Sequence, residues 1–462
     1  MSLVLDVPAS VLELNQKGLL ERAFHDGLFP ALQYRAEALP EEWPANTGNE
    51  IFMTRPGLLP AIITPLTPGA EPVPQVVPYE QWTAVLNQFA SAIDTHMPTS
   101  VTANANLFLR NIHQLGLQAG QSVNRIARNA MFQAYLSGQS VTIAAILVTD
   151  TSIRVAALNG FTDVILPGAN VRPVPVSPAT PLPITIGPGV GTPASVVGFI
   201  PDAPADPLGP GTLLLSAAVG VAFAVRAPVR SRFAPSIVRS AGGDSVDAIG
   251  SADTFTLQQA INAVGVLRNA NVQPHEDGFY HGHISPQANS QLFADPVFQR
   301  LNQSLPEHVI YKEAFIGTIA NIMFFQNTES PSIINAGPTT PTALAGQYDK
   351  NIGSEVTNGA GTNVGRVLIT GKGVMYEKYL DESAYVTEAG VTGKTGEFDV
   401  VNNGMSVMAE RIRLVLRAPL DRLQQSVSAA WSISTSFPVP SDIMAPNGVQ
   451  RFRRAVILEH AV

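Results

Sequence analysis

The sequence predicts an α+β chain interrupted by an all-β module. Three observations carry this reading. A helical pattern of unusual length runs from Thr99 to Gly138, and the next 90 residues or so turn to short β-rich runs almost without charge. Helix and strand signals then alternate again from Thr256 to the end. With 462 residues, 45% of them hydrophobic, the chain can bury a large core and suits two or three domains.

Residues Ile51 to Gly138 read as one composite element. Seven prolines lie between Pro56 and Pro78. Each removes a backbone donor and fixes φ, so this stretch extends but cannot sit inside a sheet. From Tyr79 to Ile93, Trp82, Ala84, Leu86 and Phe89 mix with polar residues, which suits a half-exposed return strand, although the pattern admits helix as well. In the long helix Phe108, Ile112, Leu115, Ala119, Val123, Ile126, Ala130 and Ala134 recur at steps of three and four until Ser137-Gly138. The apolar face lasts roughly seven turns and spans about 40 Å.

The module from 139 to 228 holds only seven charged residues, Asp150, Arg154, Asp163, Arg172, Asp202, Asp206 and Arg226. Its runs, such as VTIAAILV, TDVIL and TLLLSAAV, are punctuated by Asn159-Gly160, Pro167-Gly168 and Gly187-Pro188-Gly189. Close turn spacing of this kind predicts an all-β sandwich. Beyond it, Thr256 and Gln259 have capping-box spacing, and Ser285-Pro286 and Asp295-Pro296 each read as a cap followed by proline at the first helical position. Ile322 to Phe325 suits a strand covered on both faces, and the Gly-, Thr- and Asn-rich text from Thr339 to Gly365 reads as a mobile loop. Strand text closes the chain in RVLITGKGVMYEKYL, RIRLVLRAPL, SAAWSISTSF and RRAVILEHAV.

Charged residues are 14% of the chain, against about 25% in an average soluble domain, so much of the surface is uncharged and suited to contacts. A net charge of −8 argues against a dedicated nucleic-acid binder. The Arg226, Arg230, Arg232 and Arg239 group is the local exception and reads as a solvated loop. Without cysteine there is no disulfide scaffold, thiolate nucleophile or cysteine metal site. Asp6 and Glu13 interrupt what a signal peptide would need, and Leu213 to Val225 is too short to span a bilayer, so the expectation is a soluble protein made inside the cell with no membrane partner.

No chemical motif survives inspection, and neither an enzyme nor a cofactor is expected. Gly371-Lys372-Gly373 lacks phosphate-loop spacing and the following Ser/Thr. His281 and His283 share a strand face near His275 and Asp277, but without a further clear ligand hydrogen-bonded histidines are the better reading and no metal is assigned. Gly404-Met405-Ser406 is no nucleophile elbow, because Met408 stands where glycine is required. Glu377, Asp381 and Glu382 read as a solvated acidic face.

The order of these pieces carries a family resemblance. TRPGLLPAIITPLTPG (54 to 69), LNQFASAI (86 to 93), ARNAMFQAYLSG (127 to 138), DGFYHGHISPQANSQLFADPVFQRL (277 to 301), the IGTIANIMFFQNTES block, VLITGKGVM (367 to 375) and AVILEHAV (455 to 462) together resemble the tailed-bacteriophage major capsid proteins of the Hong Kong 97-type fold, nearest the N-four-podovirus-like capsids. The resemblance covers about three quarters of the chain and leaves 139 to 250 outside the common core. It implies an N-terminal arm (1–47), an extended loop lying over a neighbouring subunit (48–95), a spine helix of a peripheral domain (96–138), an inserted β domain (139–250), an axial domain with its strands (251–400), and C-terminal strands returning to the peripheral and axial core (401–462). It also implies Arg55, Leu58, Leu59 and Ile62 as intersubunit contacts.

Two departures stand out. Ala320-Asn321 replaces the family's Gly-Gly-like turn, and no lysine lies between Lys17 and Lys312, so covalent lysine cross-linking through the loop is impossible there. The implied function is a self-assembling icosahedral shell of hexamers and pentamers around packaged DNA, bound without sequence specificity. It would be assembled in the bacterial cytoplasm, with portal, scaffolding or decoration proteins as possible partners. The alternatives are a β-rich surface adhesin or other virion structural protein, and a hydrolase with an unrecognised site.

Overall fold

The computed structural model describes residues 22–24, 33–44, 47–56, 62–66, 69, 71–72, 74–77, 79–102, 107–166, 170–204, 206–302, 318–333, 361–380, 404–409, 411–417, 425–442 and 450–462. The chain divides into two compact units. The first comprises Met1–Ile51, Thr83–Arg128 and Met375–Pro438, and the second Phe52–Trp82, Asn129–Val374 and Val439–Val462.

In the first unit the strand Ser426–Ser436 is central. It pairs antiparallel with Ile412–Arg417, which pairs in turn with Gly404–Ala409, and it takes Asn87–His96 along its length. Met375–Tyr379 joins the same sheet and carries Ala38–Glu42 in parallel. The stretch 79 to 93 is therefore strand, split into Tyr79–Val85 and Asn87–His96. Tyr79–Val85 lies in a separate sheet, beside Glu50–Pro56. Asn87–His96 is a sheet strand, because ten consecutive residues find partners on Ser426–Ser436.

Helix α1 (Met97–Thr102) leads into α2 (Leu107–Tyr135), the long helix expected from the periodicity. Ile112, Leu115, Ala119 and Val123 are buried as predicted. After Val123 the buried positions become Ala127, Met131 and Tyr135 instead of Ile126, Ala130 and Ala134, since the side chains that meet neighbours there keep a step of four. Gly116 is required by close approach: a Cβ there would lie 2.3 Å from the Phe24 carbonyl oxygen. Gly138 ends the helical segment at φ +71°.

The second unit holds the insert. Its six strands run in the order Gln139–Val141, Pro228–Ser231, Leu182–Ile186, Thr192–Pro201, Gly211–Leu215 and Ser152–Val155, antiparallel throughout. The two ends of this order meet. Thr142 bridges Val155, the Ile143 N–H donates to the Arg154 carbonyl (3.0 Å) and the Ala156 N–H to the Val141 carbonyl (2.9 Å). The β module expected from the turn spacing is thus one sheet rolled shut around Ile153, Val155, Leu158, Phe161, Leu182, Ile184 and Leu213, where the sequence suggested two facing layers. Turn spacing reports strand lengths and cannot tell a rolled sheet from a stacked pair. The module also ends earlier than 250, because Ile237–Arg239 pairs with the C-terminal strand Ala455–Ala461 of a different sheet.

That other sheet has seven strands. Its main path is Ile237–Arg239, Ala455–Ala461, Val364–Thr370, Tyr280–Ile284, Ile322–Gln326 and Thr318–Ile319, with Ser332–Ile333 also on Val364–Thr370. Helices α3 (Leu257–Asn269), α4 (Pro286–Ala294) and α5 (Pro296–Asn302) accompany it, and Leu257, Ala260, Val264, Leu267, Leu292 and Phe298 complete the core with Ile322, Val367 and Val456. The caps sit where the spacing put them. The Thr256 N–H donates to Gln259 Oε1 (3.0 Å), the Ala288 N–H to Ser285 Oγ (3.1 Å) and the Val297 N–H to Asp295 Oδ1 (2.9 Å). Ala320 and Asn321 form a two-residue hairpin, with Ile319 opposite Ile322 and φ of +53° and +68°. The glycine departure thus leaves the turn in place with a Cβ in the left-handed region.

Each unit closes around a buried carboxylate between two guanidiniums. Glu459 accepts from Arg239 Nε (2.9 Å) and Arg366 Nε (3.1 Å). Burial opposes ionisation of Glu459, but the two arginines hold its carboxyl below the ordinary value. Glu377, read from the sequence as part of a solvated acidic face, is instead buried and accepts from Arg35 (2.7 Å) and Arg411 (2.8 Å). Its two partners lie 342 and 34 residues away, which no local charge pattern reveals. Asp381 and Glu382 lie outside the described residues, as does most of the expected mobile loop at 339–365, and its end belongs to Val364–Thr370.

Candidate subunit interface on the loop ribbon

The strands Glu50–Pro56 and Tyr79–Val85 pair as a ribbon, to which Asn170–Val171 adds in parallel beside Tyr79 and Glu80. Alternation in Tyr79–Val85 turns Glu80, Trp82 and Ala84 inward and leaves Tyr79, Thr83 and Val85 exposed. Across the ribbon, Gln81 Nε2 donates to Thr54 Oγ1 at 3.2 Å. The segment joining the two strands exposes apolar side chains in sequence. Ile62 is 75% exposed, Ile63 90%, Leu66 59% and Val76 75%, and Phe52 on the outgoing strand is 60% exposed. Proline rigidity explains why the segment does not fold back to cover them. Pro65, Pro72 and Pro74 remove donors that a compact hairpin would use.

Of the residues assigned to intersubunit contact, Ile62 is thus fully displayed, whereas Leu58 and Leu59 lie outside the described residues. Arg55 is engaged within its own chain. Its Nη2 donates to Glu80 Oε2 (3.2 Å) and to Asp442 Oδ1, and its guanidinium carbon lies 5.8 Å from the Trp82 ring centroid. No local pattern announces this cluster, because Asp442 is 387 residues from Arg55. One clue existed on the near side, a carboxylate at Glu80 in phase with Trp82 and Ala84 on the inward face.

The other polar groups singled out from the sequence are occupied. Arg226 forms two bonds of 2.6 Å to Asp247, Arg230 reaches Asp244 at 3.1 Å, and Arg239 holds Glu459. Arg239 is therefore buried, Arg226 and Arg230 are paired while partly exposed, and Arg232 is exposed as a solvated loop predicts. His275 and His281 stack with ring centroids 3.9 Å apart; His281 Nε2 lies 2.9 Å from Asp277 Oδ2 and His275 Nε2 lies 3.1 Å from Thr370 Oγ1. Burial opposes it, but the Phe279 N–H and the His281 imidazole hold the Asp277 carboxyl below its ordinary value. Buried His283 stacks on Phe325. Gly371-Lys372-Gly373 is a turn whose backbone is tied to Gln273 and Arg454 and whose lysine sits 3.4 Å from Glu276. Among the described residues no helix is long and apolar enough to cross a membrane.

No protein-family model and no curated protein matches the chain. Among solved structures it is similar to the capsid of the cyanophage P-SCSP1u (11% identity, 93% of this chain and 88% of that one, TM-score 0.48). It is also similar to the capsid of Ralstonia phage GP4 (10%, 95% and 90%, 0.47) and to that of cyanophage Pam1 (10%, 95% and 92%, 0.46).

Proposed function

We propose that the chain is the major capsid protein of a tailed double-stranded DNA phage, a structural and non-enzymatic subunit that assembles into the icosahedral head. The observation that carries this reading is the ribbon: Phe52, Ile62, Ile63, Leu66 and Val76 stand in solvent while the sheets of both units bury their apolar faces. A consecutive apolar display of this kind needs a partner surface. A second copy is the natural partner, because a closed shell repeats one contact at every subunit and sums many weak ones.

In this reading Leu58, Leu59 and Ile62 make the contact, and Arg55 takes part from the root of the ribbon. Hexamers and pentamers of the chain form the shell; portal, scaffolding or decoration proteins are further partners, and packaged DNA is enclosed without sequence-specific binding. Assembly takes place in the bacterial cytoplasm. With no lysine between Lys17 and Lys312, the loop holds its neighbour by packing and hydrogen bonds.

Replacing Leu58, Leu59 and Ile62 by Asp tests the reading. The variant is expected to keep its circular dichroism and thermal transition while shells disappear from cryo-electron micrographs. Normal closed shells from the triple variant would overturn the assignment of these residues. A parent chain that stays monomeric at high concentration would overturn the capsid reading itself.

A further inference from the structure

Four charged side chains meet at the root of the ribbon, two buried carboxylates and two half-buried guanidiniums. Arg55 comes from the outgoing strand, Glu80 from the return strand, and Asp442 and Arg454 from the segment that precedes and enters the last strand. Glu80 is fully buried and Asp442 nearly so. Arg55 Nη2 donates to both carboxylates. Each carboxylate has its own second support: Ser441 Oγ donates to Glu80 Oε1, and Arg454 Nε donates to both oxygens of Asp442 (3.0 and 3.1 Å). Arg454 is anchored in turn, its Nη1 donating to the carbonyls of Lys372 (3.1 Å) and Gly373 (3.3 Å). Among the described residues, Arg453 and the Tyr135 hydroxyl at the end of α2 also face Asp442, and the latter donates to the Val374 carbonyl (3.2 Å).

These two bonds of Arg55 to Glu80 and Asp442 differ in consequence. The bond to Glu80 joins one ribbon strand to the other, whereas the bond to Asp442 joins the ribbon to the body of its own unit. Losing the charge on Asp442 would leave the Arg55–Glu80 pair and the Ser441–Glu80 hydrogen bond in place while weakening the charged tie between Arg55 and the body.

We infer that Arg55 and Asp442 form a proton-operated latch at the ribbon's root: ionised Asp442 fixes the direction in which the loop leaves its unit, and protonation of Asp442 frees that direction without unfolding the ribbon. The acidity of the group supports this. Burial, with the Glu80 charge beside it, pushes the Asp442 carboxyl up to about 6 against the pull of Arg55. The carboxyl is therefore ionised at pH 7.5 and neutral at pH 5. The inference rests on the geometry of one unit and holds whether or not the chain builds a shell. In a shell it would make the fit of the loop to its neighbour depend on proton concentration.

The full chain has no cysteine, so two spin labels can be placed cleanly, one at Phe52→Cys on the ribbon and one at Gln258→Cys on α3. Pulsed electron resonance should give one narrow distance distribution at pH 7.5 and a broadened or shifted one at pH 5.0, with a midpoint near the Asp442 titration. Adding Asp442→Asn should give the broadened form at both pH values, and Arg55→Gln the same. The titration of the labelled parent needs no latch substitution, so it decides the matter even if a variant misfolds. An unchanged distribution from pH 7.5 to 5.0, or a narrow one in folded Asp442→Asn, would overturn the latch. Shell formation is scored separately by electron microscopy, so loss of the shell reading would register apart from the distance.

Discussion

The inserted sheet and the loop ribbon are both β-structure drawn from sparsely charged text, yet they treat their apolar residues in opposite ways. The insert rolls its sheet shut, pairing its first and last strands and burying Phe161, Leu158 and Leu213. The ribbon ends in prolines and leaves Ile62 and Ile63 in water. A rolled sheet disposes of its edges and needs no neighbour, whereas an extended loop stiffened by proline can bury its side chains only against something else. Low charge alone therefore does not mark a contact surface. What distinguishes the ribbon is apolar text left exposed.

If the insert is held by its own interior, Phe161→Ala should cost about 3–5 kcal/mol, read as a lowered denaturant midpoint for the insert. A loss below about 1 kcal/mol would mean that the sheet draws its stability from elsewhere and would break the contrast. The seven-stranded sheet adds a buried titrating group to the comparison. Burial drives the His460 imidazole down to about 4, against the Ala461 carbonyl and the Glu459 charge. The unfolded chain binds the proton more readily, so this contribution is complete above about pH 6.5 and is lost as pH falls towards 4. At about 1.4 kcal/mol per unit the loss reaches about 3 kcal/mol. Asp442 titrates with the opposite sign, its raised value favouring the fold as pH falls from about 6. The measurement is therefore a difference: His460→Gln should flatten the acid limb of thermal stability relative to the parent, and an unchanged limb would refute the assignment.

Smaller effects sharpen the same contrast. Ala320→Gly relieves a left-handed Cβ in the Ala320-Asn321 hairpin and should stabilise by about 0.5–1 kcal/mol after the entropy of glycine is counted, read by chemical denaturation. Ile63→Ser, at the far end of the scale, should leave folding stability within about 0.5 kcal/mol and act on assembly alone. A large loss of folding stability there would show that the ribbon is closed by its own chain after all.

The parts legible in the sequence are those written by neighbours in the chain. Thr256, Ser285 and Asp295 cap where their spacing said, α2 follows its period as far as Val123, and Pro65, Pro72 and Pro74 lie outside any strand, although Pro56 ends the strand Glu50–Pro56. What stayed hidden joins residues hundreds of positions apart. The closing of the insert depends on register between strands 139–141 and 152–155 through their shared neighbours, the burial of Glu377 depends on Arg35, and the root of the ribbon depends on Asp442. In each case the local text is ambiguous, since an acidic residue beside polar ones reads equally well as solvated or paired. At the candidate site the sequence singled out Ile62 among the displayed apolar residues, missed Phe52, Ile63, Leu66 and Val76, and could not foresee that Arg55 was already engaged.

The strands through which the insert enters and leaves its host lie side by side, Val141 opposite Pro228 and Gln139 opposite Arg230, and the Ser231 N–H donates to the Gly138 carbonyl at 2.7 Å. The host frame therefore sees a module of about ninety residues through a gap of one strand spacing, about 5 Å. A gap that small can be spanned by a tight turn. The junction is a graft point, at which a lineage could gain, exchange or discard an entire barrel without redrawing the sheets on either side.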